Sequence, residues 1–598
     1  LDKELTAGSG SPDTAAQLRS IITLARSQSS HPLHVLHAIQ QHFHHVSPEA
    51  AAEVAAQLGL PAGQVEGVAD FYSFFRRTPC GRYDILFSNC TSCGDRNLML
   101  KLCERLGIEP GRTRADGRVS VAETSCVGMC DHGAAMLVNG MPLARIDASC
   151  INRIAALVEA EAPLVTWPSE WFEVKDHVRK SGLLLNDDFV PGQALRAMLT
   201  RGAEAMLEEV VRSGLRGRGG AGFGTGMKWK LCREAKGEAR YVVCNADEGE
   251  PGTFKDRVLL HSHADRVFEG MTLCAFLIGA ERGKLYLRGE YRHLVLHLQA
   301  VLARRRELFL LGENILGRPG FNFDIDIVVG AGAYICGEES ALIESLEGKR
   351  GVPRVRPPFP VSHGYLGQPT VVNNVETFLA AANIALHGGA WFAAVGTEKS
   401  AGSKLLSVSG DCARPGIYEY PFGVSVRQVL EDCGAEDTQA VQVGGPSGTL
   451  IGAADFDRKL GFEDLPTGGS FMVFGAGRDM LAVIGNFAHF FAHESCGFCT
   501  PCRVGTTLLK KGVDKIASGH GTRYDLDEMR RMALLVKRRS HCGLGQTSAN
   551  PILDGLQRFP QVFERYLIQR DFEPFFDPEA VLEQARCLIR RDEATHPK

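Results

Sequence analysis

The 598-residue chain has no run of about 18 consecutive apolar residues, so no transmembrane helix is expected. It also lacks a strong charge bias. Lys and Arg number 66 against 70 Asp and Glu, a net −4, which excludes the basic balance of a nucleic-acid binder. No GxxxxGK[ST] occurs, which excludes a Walker P-loop. The first residues, LDKELTAGSGSPDTAAQ, show no basic segment followed by an apolar one, so no secretory leader is expected and the cytoplasm is the expected compartment. There is no repeat of the solenoid kind and no low-complexity tract. With 44% hydrophobic and 23% charged residues, the chain falls in the ordinary globular range. At roughly 150 residues per domain, its length points to about four domains.

Cysteine and glycine are what the chain has in quantity: 18 and 66. The cysteines are expected to be reduced. Ten are scattered singly and read as small buried apolar residues. The other eight fall into two groups: Cys90, Cys93, Cys126 and Cys130, then Cys496, Cys499, Cys502 and Cys542. Two grouped sets in a reduced chain read as metal sites.

Periodicity organises the chain. Residues 1–75 read as a helical segment. Residues 76–160 form a small α/β unit, with a strand at GRYDILFSN, an amphipathic helix at NLMLKLCERLGI and a hairpin around Asn139-Gly140. Residues 161–190 read as a linker. Residues 191–400 alternate strands (YVVCNA, KLYLRGE, DIDIVVGAGAY) with helices, an α/β pattern with a largely parallel sheet. Residues 401–485 suggest a small α+β unit of β-grasp type, and 486–598 are helical. The fold class is therefore multidomain, mixed α/β and α+β.

Successive CxxC steps from Cys496 to Cys502 bring three thiolates to one centre, and Cys542 supplies a fourth. Soft thiolates suit iron–sulfur or zinc. The CxxCxxC run favours a [4Fe–4S] cluster, because structural zinc usually takes separated pairs. The early pairs fit a [2Fe–2S] cluster or zinc, against the alternative of loop cysteines without metal. GLRGRGGAGFGTGMKWK holds seven glycines between 214 and 226, flanked by Arg216, Arg218 and Lys228. Such backbone comes close to an anion and aims N–H groups at phosphate. CNADEGEPGTFKDR follows a strand and sets Asn245, Asp247, Glu248 and Glu250 at the carboxyl edge of a sheet, where α/β ligands bind. Gly337-Glu338-Glu339 forms a second such edge. His31, His34, His37, His42, His44 and His45 read as an exposed helix region, and Arg304–Arg306 as a solvated helix face.

These motifs, with VVNNVETF and SCGFCTPCRVG, resemble the flavin-bearing, NADH-oxidising subunit of respiratory complex I. The early part (FYSFFRRTPCGRYDI, ETSCVGMCDHGAAMLVNG) is similar to its thioredoxin-like [2Fe–2S] subunit. Their fusion on one chain resembles the diaphorase subunits of NAD-reducing soluble [NiFe]-hydrogenases. Similar fusions occur in NAD-dependent formate dehydrogenases. The resemblance implies FMN against Arg216, Gly217, Arg218, Gly219 and Lys228, with Asn245, Asp247 and Glu248, its pocket completed by Gly337, Glu338, Asn373 and Asn374. It implies NAD(H) stacked on the flavin, with Glu250 near the adenosine ribose, Phe223 against adenine and Glu339 near the nicotinamide. It implies [4Fe–4S] on Cys496, Cys499, Cys502 and Cys542. Other diaphorase and [NiFe]-hydrogenase subunits are the implied partners in a hetero-oligomer. One position departs from the family: where it has C-x4-C, this chain has Ser88 five residues before Cys93, with Cys90 between. Cys90 substitutes, or Ser88 ligates through oxygen, or the cluster is absent. Cys90 is favoured because thiolate suits iron better.

The expected activity is reversible hydride exchange between NAD(H) and FMN, with single electrons relayed through the clusters. Other readings are the corresponding subunit of a formate dehydrogenase or of complex I, and a flavin-less relay scaffold. A carboxylate at the ribose favours NAD over NADP.

Overall fold

Apolar residues at helical spacing fold the N-terminal stretch into helices. The computed structural model describes residues 12–28, 32–185, 189–568 and 583, and begins with Pro12–Gln28, Pro32–Phe43, Pro48–Leu58 and Ala62–Phe71. Ser47 caps the third of these, its hydroxyl accepting from Ala50 N at 3.1 Å, and Gly59 ends it in the left-handed region. The histidines here are not all on an exposed face. His37 packs inward, its Nε2 at 3.2 Å from the Gly330 carbonyl, and burial pushes its pKa down to about 4. Half the sequence separates these two residues, so periodicity gave no sign of the contact. His31 lies outside the described residues.

The next unit is a five-stranded sheet of β1 (Tyr83–Ser88), β2 (Arg112–Thr113), β3 (Val119–Thr124), β4 (Met136–Val138) and β5 (Met141–Leu143), in order β2-β3-β1-β4-β5. β1 and β3 run parallel, and β4 and β5 are the hairpin over Asn139-Gly140. The helix Arg96–Leu106, capped by Asp95, buries Leu98, Met99, Leu102 and Leu106 against it. Between residues 161 and 190 the chain is not merely connecting. β6 (Val178–Lys180) joins a later sheet beside residues Ile417 and Tyr418.

The central sheet is wholly parallel: β7 (Tyr241–Ala246), β8 (Arg282–Leu287), β9 (Asp324–Val329) and β10 (Thr370–Asn374), in order β10-β7-β8-β9. Its middle strand carries Val242, Val243 and Cys244 fully buried, as a sheet covered on both faces requires. The helices Ala264–Ile278 and Val375–His387 pack on it and are buried along most of their length. Arg305, expected in solvent, is 0% exposed. Its guanidinium pairs with Asp265 and, at 3.2 Å, with Glu269, whose carboxylate also accepts from Gly192 N and Ala194 N. Its neighbours Arg304 and Arg306 do face solvent. Truncating one member of such a buried pair costs about 3–5 kcal/mol.

The third sheet has order β14-β13-β15-β11-β12-β6, with β11 (Ser403–Gly410), β12 (Gly416–Pro421), β13 (Thr438–Val443), β14 (Thr449–Gly452) and β15 (Ser470–Gly475). The helix Val426–Cys433 packs across it. Helices Met480–Glu494, Thr500–Ala517, Arg523–Arg539 and Asn550–Arg558 follow. Among the described residues no helix is long and apolar enough to cross a membrane.

Two buried arginines fasten the thioredoxin-like unit to the central one. Arg288 donates through Nη2 to the Cys126 carbonyl at 2.6 Å and through Nη1 to that of Glu248. Arg257 Nη2 meets Asp131 Oδ1 at 2.8 Å.

Candidate functional site

The pocket lies at the carboxyl ends of β7 and β10. Their parallel register sets Asn373 beside Cys244 and Asn374 beside Asn245. Asn245 Nδ2 donates to the Gly337 carbonyl at 2.8 Å, which draws the second polar edge onto the first. Trp229 Nε1 fixes Asn373 through Oδ1 at 2.9 Å. Lys228 Nζ reaches Glu339 Oε2 at 3.0 Å and the Val372 carbonyl at 3.1 Å, so glycine loop, strand end and Gly337–Glu339 turn close on one another.

The glycine loop curls on itself, with Gly217 N donating to the Phe223 carbonyl at 2.9 Å. At Gly222 a positive φ (+65°) and the nearby ring of Phe462 both exclude a side chain. The Arg216 guanidinium lies 3.9 Å over Phe462 and its Nε donates to the Gly222 carbonyl at 2.6 Å. Arg218 is buried between the rings of Phe392 and Phe422, and desolvation lowers its pKa to about 10. Both arginines thus brace the loop from behind, leaving backbone N–H groups and Lys228 to meet an anion. Phe223, at 51% exposure, stands free beside them.

The acidic turn is sorted by its contacts. Glu248 accepts from Asp256 N (2.8 Å), Arg257 N (3.2 Å) and Tyr291 OH (3.0 Å), which anchors the start of the helix Lys255–Ser262 and spends the carboxylate on protein partners. Glu250 accepts from Tyr334 OH and from Ser447 N (2.8 Å), and burial raises its pKa to about 7. Burial of the Asp247 carboxyl pushes its pKa well up, and its Oδ2 has no partner in the protein. Glu338 caps the helix Glu339–Leu346, accepting from Ala341 N at 3.0 Å. Asn374 Oδ1 accepts from Lys255 Nζ at 3.1 Å, and its Nδ2 donates to Asp256 Oδ2 at 2.6 Å.

Several of these partners went unread in the sequence. Lys255 and Glu376 form a buried ion pair at 3.2 Å, and Lys404, from the third sheet, pairs with the same carboxylate while donating to the Arg218 carbonyl at 3.3 Å. Burial lowers the Lys404 pKa to about 7. Lys255 and Glu376 lay inside quoted motifs and only their polarity hinted at burial. Tyr334 likewise closed a quoted strand run, and Lys404 and Ser447 carried no signal, because the neighbours of all three come from distant segments.

Asp247 Oδ2 is a buried polar atom awaiting a partner. Added methyls at Gly219 and Gly337 would come within 3.3 Å of Asn374 Cβ and of the Asp247 carbonyl. A narrow cradle with an unpaired carboxyl oxygen fits the hydroxyl-bearing chain and phosphate of FMN.

The late cysteines line one cavity with Ile335, Pro353, Ser495, Phe498, His541 and Leu544. Cys499 and Cys542 each sit at a helix N-cap, and burial pushes the Cys542 thiol up to about 11. Ser495 Oγ lies 3.2 Å from Cys502 Sγ, and His541 N donates to Cys499 Sγ at 3.5 Å. Burial pushes the Cys502 thiol up to about 12. Soft donors in a partly dry cavity fit an iron–sulfur cluster.

The early set is tighter. The sulfurs of Cys90, Cys93, Cys126 and Cys130 lie within 4.8 Å of one another, all buried. Cys90 is thus gathered with the other three, while Ser88 Oγ is 3.2 Å from Cys93 Sγ. Behind them Asp131 binds His177 Nδ1 (3.0 Å), His132 Nδ1 (2.8 Å) and Arg257.

Fold and sites together define a flavin- and iron–sulfur-binding oxidoreductase. Residues 210–383 match the Nuo51 FMN-binding domain, residues 18–159 the thioredoxin-like [2Fe-2S] ferredoxin, and residues 482–566 the NADH-ubiquinone oxidoreductase-F iron-sulfur binding region. The chain is 43% identical over 585 residues to the NAD-reducing hydrogenase HoxS subunit alpha of Cupriavidus necator, covering 95% of this chain and 97% of that one. It is 42% identical over 386 residues to the NADP-reducing hydrogenase subunit HndC of Solidesulfovibrio fructosivorans, covering 63% and 78%. A crystal structure of NAD+-reducing [NiFe]-hydrogenase in the H2-reduced state superposes with TM-score 0.86 at 44% identity, over 95% of this chain and 98% of that one. The chain belongs to the family of NAD-reducing hydrogenase alpha subunits.

Proposed function

We propose that this chain is the NADH-oxidising, NAD+-reducing diaphorase subunit of an NAD-reducing hydrogenase, working in a hetero-oligomer with other diaphorase subunits and a [NiFe]-hydrogenase. FMN, when bound, exchanges hydride with the nicotinamide and single electrons with the clusters, which reconciles a two-electron carrier with one-electron acceptors. The remaining work belongs to the chain. The backbone N–H of Gly219, with Lys228, would hold the phosphate, while Gly217 closes the loop on Phe223. Asn245, Asp247, Asn373 and Asn374 would hold the polar chain and ring edge. Arg216, Arg218, Glu248 and Glu338 act behind this surface by fixing loop and helix starts.

Glu250 would accept from the ribose hydroxyls and repel a 2′-phosphate. Phe223 offers its free face to adenine. Glu339, oriented by Lys228, would steer the nicotinamide amide. Cys496, Cys499, Cys502 and Cys542 would hold [4Fe–4S], and Cys90, Cys93, Cys126 and Cys130 would hold [2Fe–2S]. Free thiols in these numbers suit a reducing compartment, and we assign the chain to the cytoplasm.

One observation carries the reading. Ile335 lines the late cysteine cavity, and Gly337, two residues on, bonds Asn245 in the flavin pocket. A single turn of chain separates pocket from cluster site. The test is the purified chain with its partners. Flavin content, NADH–dye reduction and hydrogen-dependent NAD+ reduction should appear together. A flavin-free chain that still reduced NAD+ would overturn the reading.

A further inference from the structure

Away from the pocket and the two four-thiol sites, two more cysteines stand together. Cys412 follows β11, and Cys433 closes the helix Val426–Cys433. Two backbone hydrogen bonds lace their segments: Ala413 N to the Gly434 carbonyl (3.1 Å) and Arg414 N to the Cys433 carbonyl (3.0 Å). The Arg414 guanidinium adds a third tie through Nη2 to the Asp432 carbonyl at 2.7 Å. Each thiol is the first influence on the other's pKa, while the Cys433 S–H donates to the Leu430 carbonyl at 3.4 Å. Cys433 is fully buried, whereas Cys412 is partly exposed. Chain segments laced in this way set the Cys412 segment directly beside that of Cys433.

We propose that Cys412 and Cys433 form a reversible dithiol–disulfide pair, with Cys412 as the exposed attacking thiol and a small-molecule disulfide such as glutathione disulfide as the oxidant. The Cys412 thiolate attacks one sulfur of glutathione disulfide, the S–S bond breaks, and one glutathione thiolate leaves. Cys433 then gives up its proton and attacks the Cys412 sulfur. The protein disulfide forms, the second glutathione departs, and two electrons have passed from the cysteines to the glutathione pair.

The surroundings divide the roles in this order. The neighbouring Cys433 thiol, the Arg414 backbone N–H and the charge of Arg179 lower the Cys412 pKa, outweighing burial and the adjacent Asp411 carboxylate, which raise it. The Cys433 thiol is held up first by the neighbouring Cys412 thiolate and then by burial, and the mixed disulfide removes the first of these.

The pair sits where closure would be felt. Asp411, next to Cys412, holds Arg478 through Oδ1 (to Nη2) and Oδ2 (to Nε), both at 2.8 Å, and Arg478 shares a cavity with Cys90. Ser409 Oγ meets Ser92 Oγ of the early cysteine loop at 3.1 Å.

The experiment equilibrates the intact holoprotein anaerobically in glutathione buffers of rising oxidised fraction, blocks free thiols with iodoacetamide and maps the peptides. A Cys412–Cys433 linked peptide should grow with the oxidised fraction, remove two alkylatable thiols, and vanish with dithiothreitol. Cys433→Ser should stop at glutathionylated Cys412, and Cys412→Ser should leave Cys433 alkylated only after unfolding. Both residues alkylated at every poise would overturn the proposal, as would glutathionylated Cys412 accumulating in the unaltered protein. The unaltered protein alone decides the matter if a variant does not fold.

Discussion

The two four-thiol sites supply the same ligands in opposite ways. In the early site four buried sulfurs crowd within 4.8 Å, drawn from two loops of a thioredoxin-like sheet. In the late site the cysteines ring a cavity, three of them from one turn entering the helix Thr500–Ala517 and the fourth at the start of Gly543–Thr547. Crowding suits a flat two-iron unit held by two ligand pairs. A ring of donors around a void suits a cluster with volume of its own. On the proposed ligand sets, the spacing of the backbone elements would select the cluster shape, since the donor chemistry is identical.

The largest test removes a late ligand. Cys502→Ser should abolish the [4Fe–4S] signal and transfer to the partner while leaving flavin bound, checked by paramagnetic resonance and iron content. A retained cubane signal would break the contrast. Next comes the early site: Cys90→Ala should lose its iron, and Ser88→Ala should keep it. Full early-cluster iron in Cys90→Ala would return Ser88 to the ligand set.

A change in the pocket that serves both sites should disturb neither. Glu250→Gln should leave both cluster signals intact and raise kcat/KM for NADPH relative to NADH by about tenfold, the worth of one modest charge repulsion. Because the Glu250 pKa is raised to about 7, the carboxyl is neutral below that pH and charged above it. Discrimination against NADPH should therefore strengthen from pH 6 to pH 8 and turn flat in the Gln variant. The smallest effect is electrostatic tuning. Ser88→Ala and Ser495→Ala each delete a hydroxyl 3.2 Å from a cysteine sulfur, and each should lower its own cluster's potential by on the order of 40 mV, about 1 kcal/mol. Equal shifts in both potentials from one variant would mean the sites are not independent.

What could be read from the sequence follows the same contrast. The late site was legible because CxxCxxC is local. The central sheet was legible because its strands are short apolar runs between helical stretches. The gathering of Cys90 with three other sulfurs depends on how one turn closes over Gly94, where an added methyl would strike the Ser88 and Cys90 carbonyls. Spacing alone left that open. Arg305 read as solvent-facing because its neighbours are arginines, yet its carboxylate partners, the half-buried Asp265 and the buried Glu269, come from another helix. β6 was invisible because three exposed residues carry no alternation, and its strand identity comes from the partner edge. Cys412 and Cys433 looked like scattered singles for the same reason.

Arg288 and Arg257 give the molecule a bolt that does not run through the peptide chain. Across the seam Arg257 meets the buried Asp131 and Arg288 meets the Cys126 carbonyl, so prying the thioredoxin-like unit away would part a buried ion pair and break a buried hydrogen bond, although Arg288 would keep Glu290. A chain cut between 161 and 177 should therefore migrate as one particle. Joining the two units in one polypeptide guarantees equal copy number, while the grip between them is chemical.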